Sequence, residues 1–286
     1  KSSGKSTYLY ELPWYLIIGP PGSGKTTALV NSGLEFPLAG PGGPAAIAGA
    51  GGTRYCDFWF TEDAVLIDTA GRYTTQDSDA KADAKSWLAF LALLKASRPR
   101  QPINGVIVAI SLEDLMTLPA AETEAFATRI RDRLTELHRE LKVDFPVYAL
   151  FTKADLVAGF SDYFGSFTRA RRQKVWGATV QSGRRDASLL DKVPEEFDAL
   201  VRRLTEELTD RLHEEPDRHS RIAIYGFPAQ FAMLREAVLG MLGRIFEPTR
   251  YRAKASLRGF YFTSGTQEGT PIDQLLGAMA GMGTGG

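Results

Sequence analysis

The chain contains a single cysteine, Cys56, and only three histidines. One thiol excludes an intrachain disulfide and points to a reducing compartment, the cytosolic side of a membrane if one is near. His138, His213 and His219 have no cysteine or carboxylate at ligand spacing, so surface or structural roles suit them better than a metal. No run of about 18 apolar residues occurs, so nothing in this stretch spans a bilayer as a helix, and no secretory leader is visible. Excess charge is missing as well. Lysine plus arginine total 34 and aspartate plus glutamate total 34, a balance at odds with a protein built around nucleic-acid phosphates. There is no internal repeat. The chain opens Lys1-Ser2-Ser3 without an initiator methionine and reads as an excised piece of something longer. What remains is ordinary globular composition, 44% hydrophobic and 24% charged over 286 residues, enough for one large domain or two small ones.

Against that background one segment stands out. Gly19-Pro20-Pro21-Gly22-Ser23-Gly24-Lys25-Thr26 fits G-x-x-x-x-G-K-[ST], the phosphate-binding P-loop. The apolar run Trp14-Tyr15-Leu16-Ile17-Ile18 ahead of it reads as a buried strand, and Thr27-Ala28-Leu29-Val30 behind it opens a helix. A strand, a glycine-rich turn and a helix N-terminus aim backbone N–H groups at one point, which suits a polyphosphate. Lys25 is expected between the terminal phosphates, and Thr26 is expected to offer its hydroxyl to Mg²⁺. The similar Gly4-Lys5-Ser6 lacks a preceding strand and glycine and is discarded.

Two further signatures follow in the order such chemistry requires. Asp68-Thr69-Ala70-Gly71 comes after the apolar run Ala64–Ile67, so Asp68 is expected to hold Mg²⁺ through water and Gly71 to offer its N–H to a γ-phosphate. Thr152-Lys153-Ala154-Asp155 follows a strand ending at Phe151 and resembles the base-recognition motif of GTPases. One carboxylate on Asp155 can accept both guanine donors and would repel adenine N1, which favours GTP over ATP; the alternative is a helix start with a surface lysine. Thr152 stands where asparagine is usual, a departure that weakens the tie back to the P-loop. Thr53, within Gly51-Gly52-Thr53, is the candidate Mg²⁺-sensing threonine or else part of a plain glycine hinge. Arg72 occupies the place where many GTPases carry a water-orienting glutamine. It acts either as an arginine finger in cis or as a surface ion-pair partner, and slow or partner-dependent turnover follows. The basic cluster Arg169, Arg171, Arg172 and Lys174 is a solvated helix face or a contact for an anionic membrane.

Periodicity places the remaining elements. Arg54–Phe60 and Ala64–Ile67 read as an antiparallel hairpin, and helical composition covers roughly 81–95. Val106–Ile110 and Val147–Phe151 read as buried strands on either side of a helix opened by Pro119 and striped by Phe126, Ile130, Leu134, Leu137 and Leu141. A single helix is expected from the stripe Phe197, Leu200, Leu204, Leu208 and Leu212, a strand at Ile222–Tyr225, a helix from Phe231 to Ile245, and a last strand at Leu257–Thr263. Strands alternating with helices predict an α/β fold of the P-loop NTPase type, small-GTPase-like, with a mostly parallel sheet and helices on both faces. The expected division is a core of residues 8–158 and 222–270, a mainly helical insertion at 159–221 and a flexible linker at 271–286. Thr263-Ser264-Gly265 competes with the Ile222–Tyr225 strand for the last base-contacting loop. The phosphate, base and metal set is thus Gly19, Pro20, Pro21, Gly22, Ser23, Gly24, Lys25, Thr26, Thr27, Thr53, Asp68, Thr152, Lys153, Asp155 and Ser264, with Gly71 and Arg72 in catalytic roles.

Four blocks in order go beyond a generic P-loop protein. They are Leu12-Pro13-Trp14-Tyr15, the run from Trp59 through Asp68-Thr69-Ala70-Gly71-Arg72-Tyr73, Arg98-Pro99 leading into Pro102-Ile103-Asn104-Gly105-Val106, and Leu257 through Gly269. Together they resemble the IcmF/TssM family of type VI secretion, from Leu12 to about Asp273. The resemblance implies a cytoplasmic NTPase domain of an inner-membrane protein, held between transmembrane helices, with GTP or ATP and Mg²⁺ as cofactors. It implies TssL, TssJ and the baseplate protein TssK as partners. It also implies an alternative, a scaffold that keeps the P-loop fold and docks partners without hydrolysis.

Overall fold

The computed structural model describes residues 10–30, 47–48, 56–69, 80–172, 174–179, 189–248 and 255–264. Eight strands among them join one sheet in the order β2-β3-β4-β1-β5-β6-β8-β7. The strands are β1 (Trp14–Ile18), β2 (Ile47–Ala48), β3 (Cys56–Phe60), β4 (Val65–Thr69), β5 (Gly105–Ser111), β6 (Pro146–Thr152), β7 (Gly177–Thr179) and β8 (Ser256–Phe262). β1 pairs in parallel with β4 and β5, and β6 pairs in parallel with β5 and β8. Only the margins are antiparallel, β2 on β3 on β4 at one side and β7 on β8 at the other.

The central strands read as they do because both their faces are covered. Leu16 and Ile18 of β1 belong to the main core, whereas Ile17 between them packs with Leu29, Trp59 and Leu66 on the opposite face. Leu29 comes from α1 (Lys25–Val30), which therefore covers one face of the sheet. The main core is filled by α2 (Ala80–Ser97) through Trp87, Leu91 and Leu94, and by α4 (Ala120–Leu141) through Ile130, Leu134, Leu137 and Leu141. The short helix α3 (Leu112–Thr117) links β5 to α4, with Ser111 as its N-cap accepting from the Asp114 amide. Pro119 caps α4 as the pattern predicts, and Lys142 ends it in the left-handed conformation.

Beyond β6 come α5 (Phe160–Gly165), α6 (Arg169–Arg172), α7 (Val193–Glu206), α8 (Leu208–Glu214), α9 (Arg218–Ala232) and α10 (Arg235–Phe246). Three sequence expectations need correction here. The stripe from Phe197 to Leu212 is two helices, α7 and α8, interrupted at Glu207. Residues Ile222–Tyr225 are not a strand but part of α9. Asp217 caps that helix by accepting from the Ser220 amide at 2.8 Å, and Ile224, Phe227 and Phe231 bury one helical face. Local β-propensity at Ile222 and Tyr225, 64% and 69% exposed, is outweighed by the Asp217 cap and by the helical face that buries Ile224, Phe227 and Phe231. The stretch read as helical also contains β7, a three-residue edge strand. The linker expected at 271–286 lies outside the described residues, as does the predicted Thr53. Among the described residues no helix is long and apolar enough to cross a membrane.

The end of β1 away from the P-loop has its own anchor. The guanidinium of Arg98, just past α2, is buried between the rings of Tyr10 and Trp14, 5.0 and 4.7 Å from their centroids. It donates to Asn104 Oδ1 at 3.2 Å, and the same oxygen accepts from the Trp14 amide at 2.8 Å. Chain entry, the end of α2 and the start of β5 are thereby tied at one point. Arg98→Ala is expected to lower unfolding free energy by about 2–4 kcal/mol, and Arg98→Lys to restore little of it, because an ammonium lacks the planar stacking surface. Urea denaturation of the three proteins checks this.

Candidate functional site

The strand order reverses direction at β1, whose neighbours β4 and β5 both lie later in the chain. In parallel sheets such a switch point opens a crevice beyond the carboxyl ends of the strands. The P-loop leaves β1 at that crevice, Asp68 sits near the end of β4, and Thr152 ends β6.

The loop's backbone shows why its glycines are there. A Cβ on Gly19 would meet the Ala109 carbonyl oxygen at 2.8 Å, so β5 approaches too closely for any side chain. Gly22 and Gly24 adopt φ of 73° and 77°, the left-handed region that costs other residues about 1 kcal/mol or more. Lys25 is 8% exposed and curls over the loop, its Nζ donating to the carbonyls of Gly19 and Pro20 at 3.0 Å each. Burial lowers its pKa, and the nearby Asp68 partly opposes that shift.

Thr26 Oγ1 donates to Asp68 Oδ2 at 2.8 Å, joining residues 42 apart in sequence. The second carboxylate oxygen, Oδ1, is buried with no hydrogen-bond partner among the described residues. Burial raises the Asp68 pKa, with Thr26 and Lys25 pulling it down and Asp57, its cross-strand neighbour, adding to the rise. A carboxylate oxygen without a partner beside a threonine hydroxyl is a donor set for a hard cation. Among the described residues no group of three or more histidine, cysteine or carboxylate side chains can hold a metal alone. The residues fit Mg²⁺ in the manner of an ion that completes its shell with water and phosphate oxygens. Cys56, opposite Thr69 across the hairpin, is buried, and burial, then Asp57 and Asp68, push its thiol up to about 11, which disfavours the thiolate.

The third strand end is locked to the first. Thr152 Oγ1 donates to the Ser23 carbonyl at 2.6 Å, so the threonine makes the tie to the P-loop that its difference from asparagine was expected to weaken. Lys153 follows in the left-handed conformation, and its Nζ pairs with Glu113 at 2.7 Å. Half-buried Asp155 lies in the 3₁₀ turn Ala154–Leu156. The Ala154 amide donates to the Thr263 carbonyl and the Thr263 amide to the Phe151 carbonyl, which brings Ser264, not residues 222–225, beside this loop. Thr27 is half-buried in α1. Gly71 and Arg72 lie outside the described residues. Sequence reasoning missed Glu113, which no motif marks, and Thr69, whose hydroxyl donates to the Ile17 carbonyl at 2.7 Å. Behind the loop, a cavity of about 250 Å³ is lined by Pro20, Asp114, Phe126 and Met241 among others.

The model of the IcmF-related N-terminal domain matches residues 80–284. The chain belongs to the IcmF/TssM family. It is similar to the type VI secretion system component TssM1 of Pseudomonas aeruginosa, 55% identical over 274 residues, or 95% of this chain and 25% of that protein. This TssM-family domain thus spans about a quarter of the length of that relative. Among solved structures it has a partial likeness to the signal recognition particle receptor SRb-GTP/SRX complex from Chaetomium thermophilum, with 22% identity and TM-score 0.32 over 50% of this chain and 70% of that one. A second is a mutation variant of SsGBP, with 18% identity and TM-score 0.27 over 52% of this chain and 40% of that one. The fold assignment rests on the strand order and register described above, not on these two.

Two outcomes test the geometry. Thr152→Val, which keeps the shape and removes the hydroxyl, is expected to cost about 1 kcal/mol of stability, measured by denaturation, because the buried Ser23 carbonyl loses its donor. For Asp68, a folded-state pKa above the unfolded 3.8 means that its contribution is full below that value and is lost as pH rises through the folded value. The stability difference between wild type and Asp68→Asn therefore shifts in favour of the asparagine variant as pH rises across that window, read from melting curves at stepped pH.

Proposed function

We propose that this domain binds a magnesium–nucleoside triphosphate, GTP in preference to ATP, and hydrolyses it slowly in support of assembling a type VI secretion membrane complex. The observation that carries the reading is the Thr26–Asp68 hydrogen bond, with Asp68 Oδ1 buried and unpartnered among the described residues beside a glycine-rich loop. A fold that only needed architecture there would gain by replacing a buried, half-satisfied carboxylate, since such a group costs stability. Thr26 and Asp68 would hold Mg²⁺, directly or through water, and the ion when bound neutralises charge on the terminal phosphate oxygens. Lys25 supplies a cation already positioned by two loop carbonyls, and the backbone of Gly22 to Lys25 wraps the phosphate tail. Asp155 accepts from the guanine edge, and Ser264 lies beside the same loop. The absence of glutamine after Gly71 favours slow turnover, with Arg72 or a partner stabilising developing charge.

The family relationship supports placing the domain on the cytoplasmic side of the inner membrane, through helices outside this stretch of sequence, with TssL, TssJ and TssK as partners. The test is titration of labelled GTP and ATP in Mg²⁺, followed by single-turnover hydrolysis. Lys25→Ala is expected to weaken binding about 10- to 100-fold, the range for a lost hydrogen bond to a charged group, and to abolish hydrolysis. Wild-type hydrolysis no faster than that variant would leave a docking scaffold with a P-loop fold. Fast multiple turnover by the isolated domain would overturn the slow-cycle reading.

A further inference from the structure

The base-recognition loop is held from three sides, and one of those holds has no counterpart in any motif. Thr152 is tied to Ser23 of the P-loop and Ala154 to Thr263 at the end of β8. Between them Lys153 sits at φ 60°, ψ 35°, one of only two non-glycine residues with positive φ among the described residues. That conformation costs a lysine about 1–2 kcal/mol and persists only where its surroundings over-determine it. The remaining hold is the ion pair from Lys153 Nζ to Glu113 Oε2 at 2.7 Å, with the lysine 15% and the glutamate 43% exposed. Glu113 comes from the first turn of α3, 40 residues earlier, where β5 ends beside the P-loop. The next residue, Asp114, is half-buried; burial and then Glu113 raise its pKa while Lys153 lowers it, so Lys153 faces two carboxylates.

We propose that Glu113 is a positioning residue for nucleobase selection: it anchors the Lys153 ammonium, holds the strained left-handed backbone of that lysine, and so fixes the direction in which Asp155 presents its carboxylate. This rests on the nucleotide-binding reading of the same site. With its charge met by Glu113, Lys153 offers the base the apolar edge of a stretched four-carbon stem, a packing surface instead of a free cation. The site then discriminates through the Asp155 acceptor, which suits a purine edge carrying two donors. A mere surface ion pair predicts something different, since exposed pairs contribute little and act on stability alone.

The experiment compares wild type, Glu113→Gln and Glu113→Asp for binding of fluorescent GTP and ATP analogues in Mg²⁺, with inorganic tripolyphosphate as competitor and thermal unfolding as control. Glu113→Gln is expected to weaken GTP about 5-fold, the effect of losing about 1 kcal/mol of pairing. ATP and tripolyphosphate are expected to stay within about twofold, so that the GTP-to-ATP ratio narrows, while the melting temperature falls by no more than about 2–4 °C, the effect of about 1 kcal/mol on a domain of this size; Glu113→Asp recovers part of both losses. Unchanged GTP affinity in Glu113→Gln overturns the inference, and so does an equal loss for GTP, ATP and tripolyphosphate, which would signal general damage. Wild-type protein that binds tripolyphosphate and both nucleotides equally removes base selection while leaving the phosphate site standing. Wild-type protein that binds none of the three overturns both readings.

Discussion

Parallel pairing of β1 with both β4 and β5 is the constraint on which the rest of the structure depends. It sets Ile17 opposite both Asp68 and Ile107, so the carboxyl ends of neighbouring strands arrive at one edge of the sheet. A residue at the end of β4 and another in the loop after β1 thereby meet as Thr26 and Asp68, although 42 positions separate them. One residue of slip would turn Asp68 to the opposite face and leave Thr26 without its acceptor. The register is protected by what lies on each face: Ile17, Leu29 and Leu66 on one, Leu16, Ile18 and Ile67 on the other.

The polar groups at that edge are withdrawn from water before any ligand is considered. Lys25 and Asp68 are both buried, each shifted toward its neutral form by burial and each partly held in its charged form by the other. Burying both groups costs free energy, which the loop carbonyls on Lys25 and the Thr26 hydroxyl on Asp68 offset in part. The left-handed Lys153 and the close approach of Gly19 to β5 lie at the same crevice, where the surroundings set the backbone. At the amino end of β1, Arg98 between Tyr10 and Trp14 fixes where the chain enters the strand.

Legibility follows the strength of local pattern. The hairpin of β3 and β4, the uninterrupted apolar run of β5 and the heptad-like stripe of α4 can all be read from residues alone, because burial on one or both faces imposes a period that nothing else overrides. Ile222–Tyr225 misleads because four residues of β-type composition say little without the cap that precedes them. Asp217 and the 224-227-231 spacing decide for helix, and a window that begins at residue 222 omits half of that signal. The break at Glu207 is invisible since the apolar stripe continues through it.

The residue order determined the glycine-rich loop with its Lys25 and Thr26 and the alternation of strand and helix, because these depend on spacing within about ten or twenty residues. Only the tertiary structure decided that Thr152 ties to Ser23 in place of asparagine, that Glu113 holds Lys153, and that β8 (Ser256–Phe262) pairs beside β6 and brings Thr263 onto the turn at Ala154. The first two are contacts between segments 129 and 40 residues apart. Their existence depends on strand order and register, quantities set by how the whole core packs and carried by no single stretch of sequence.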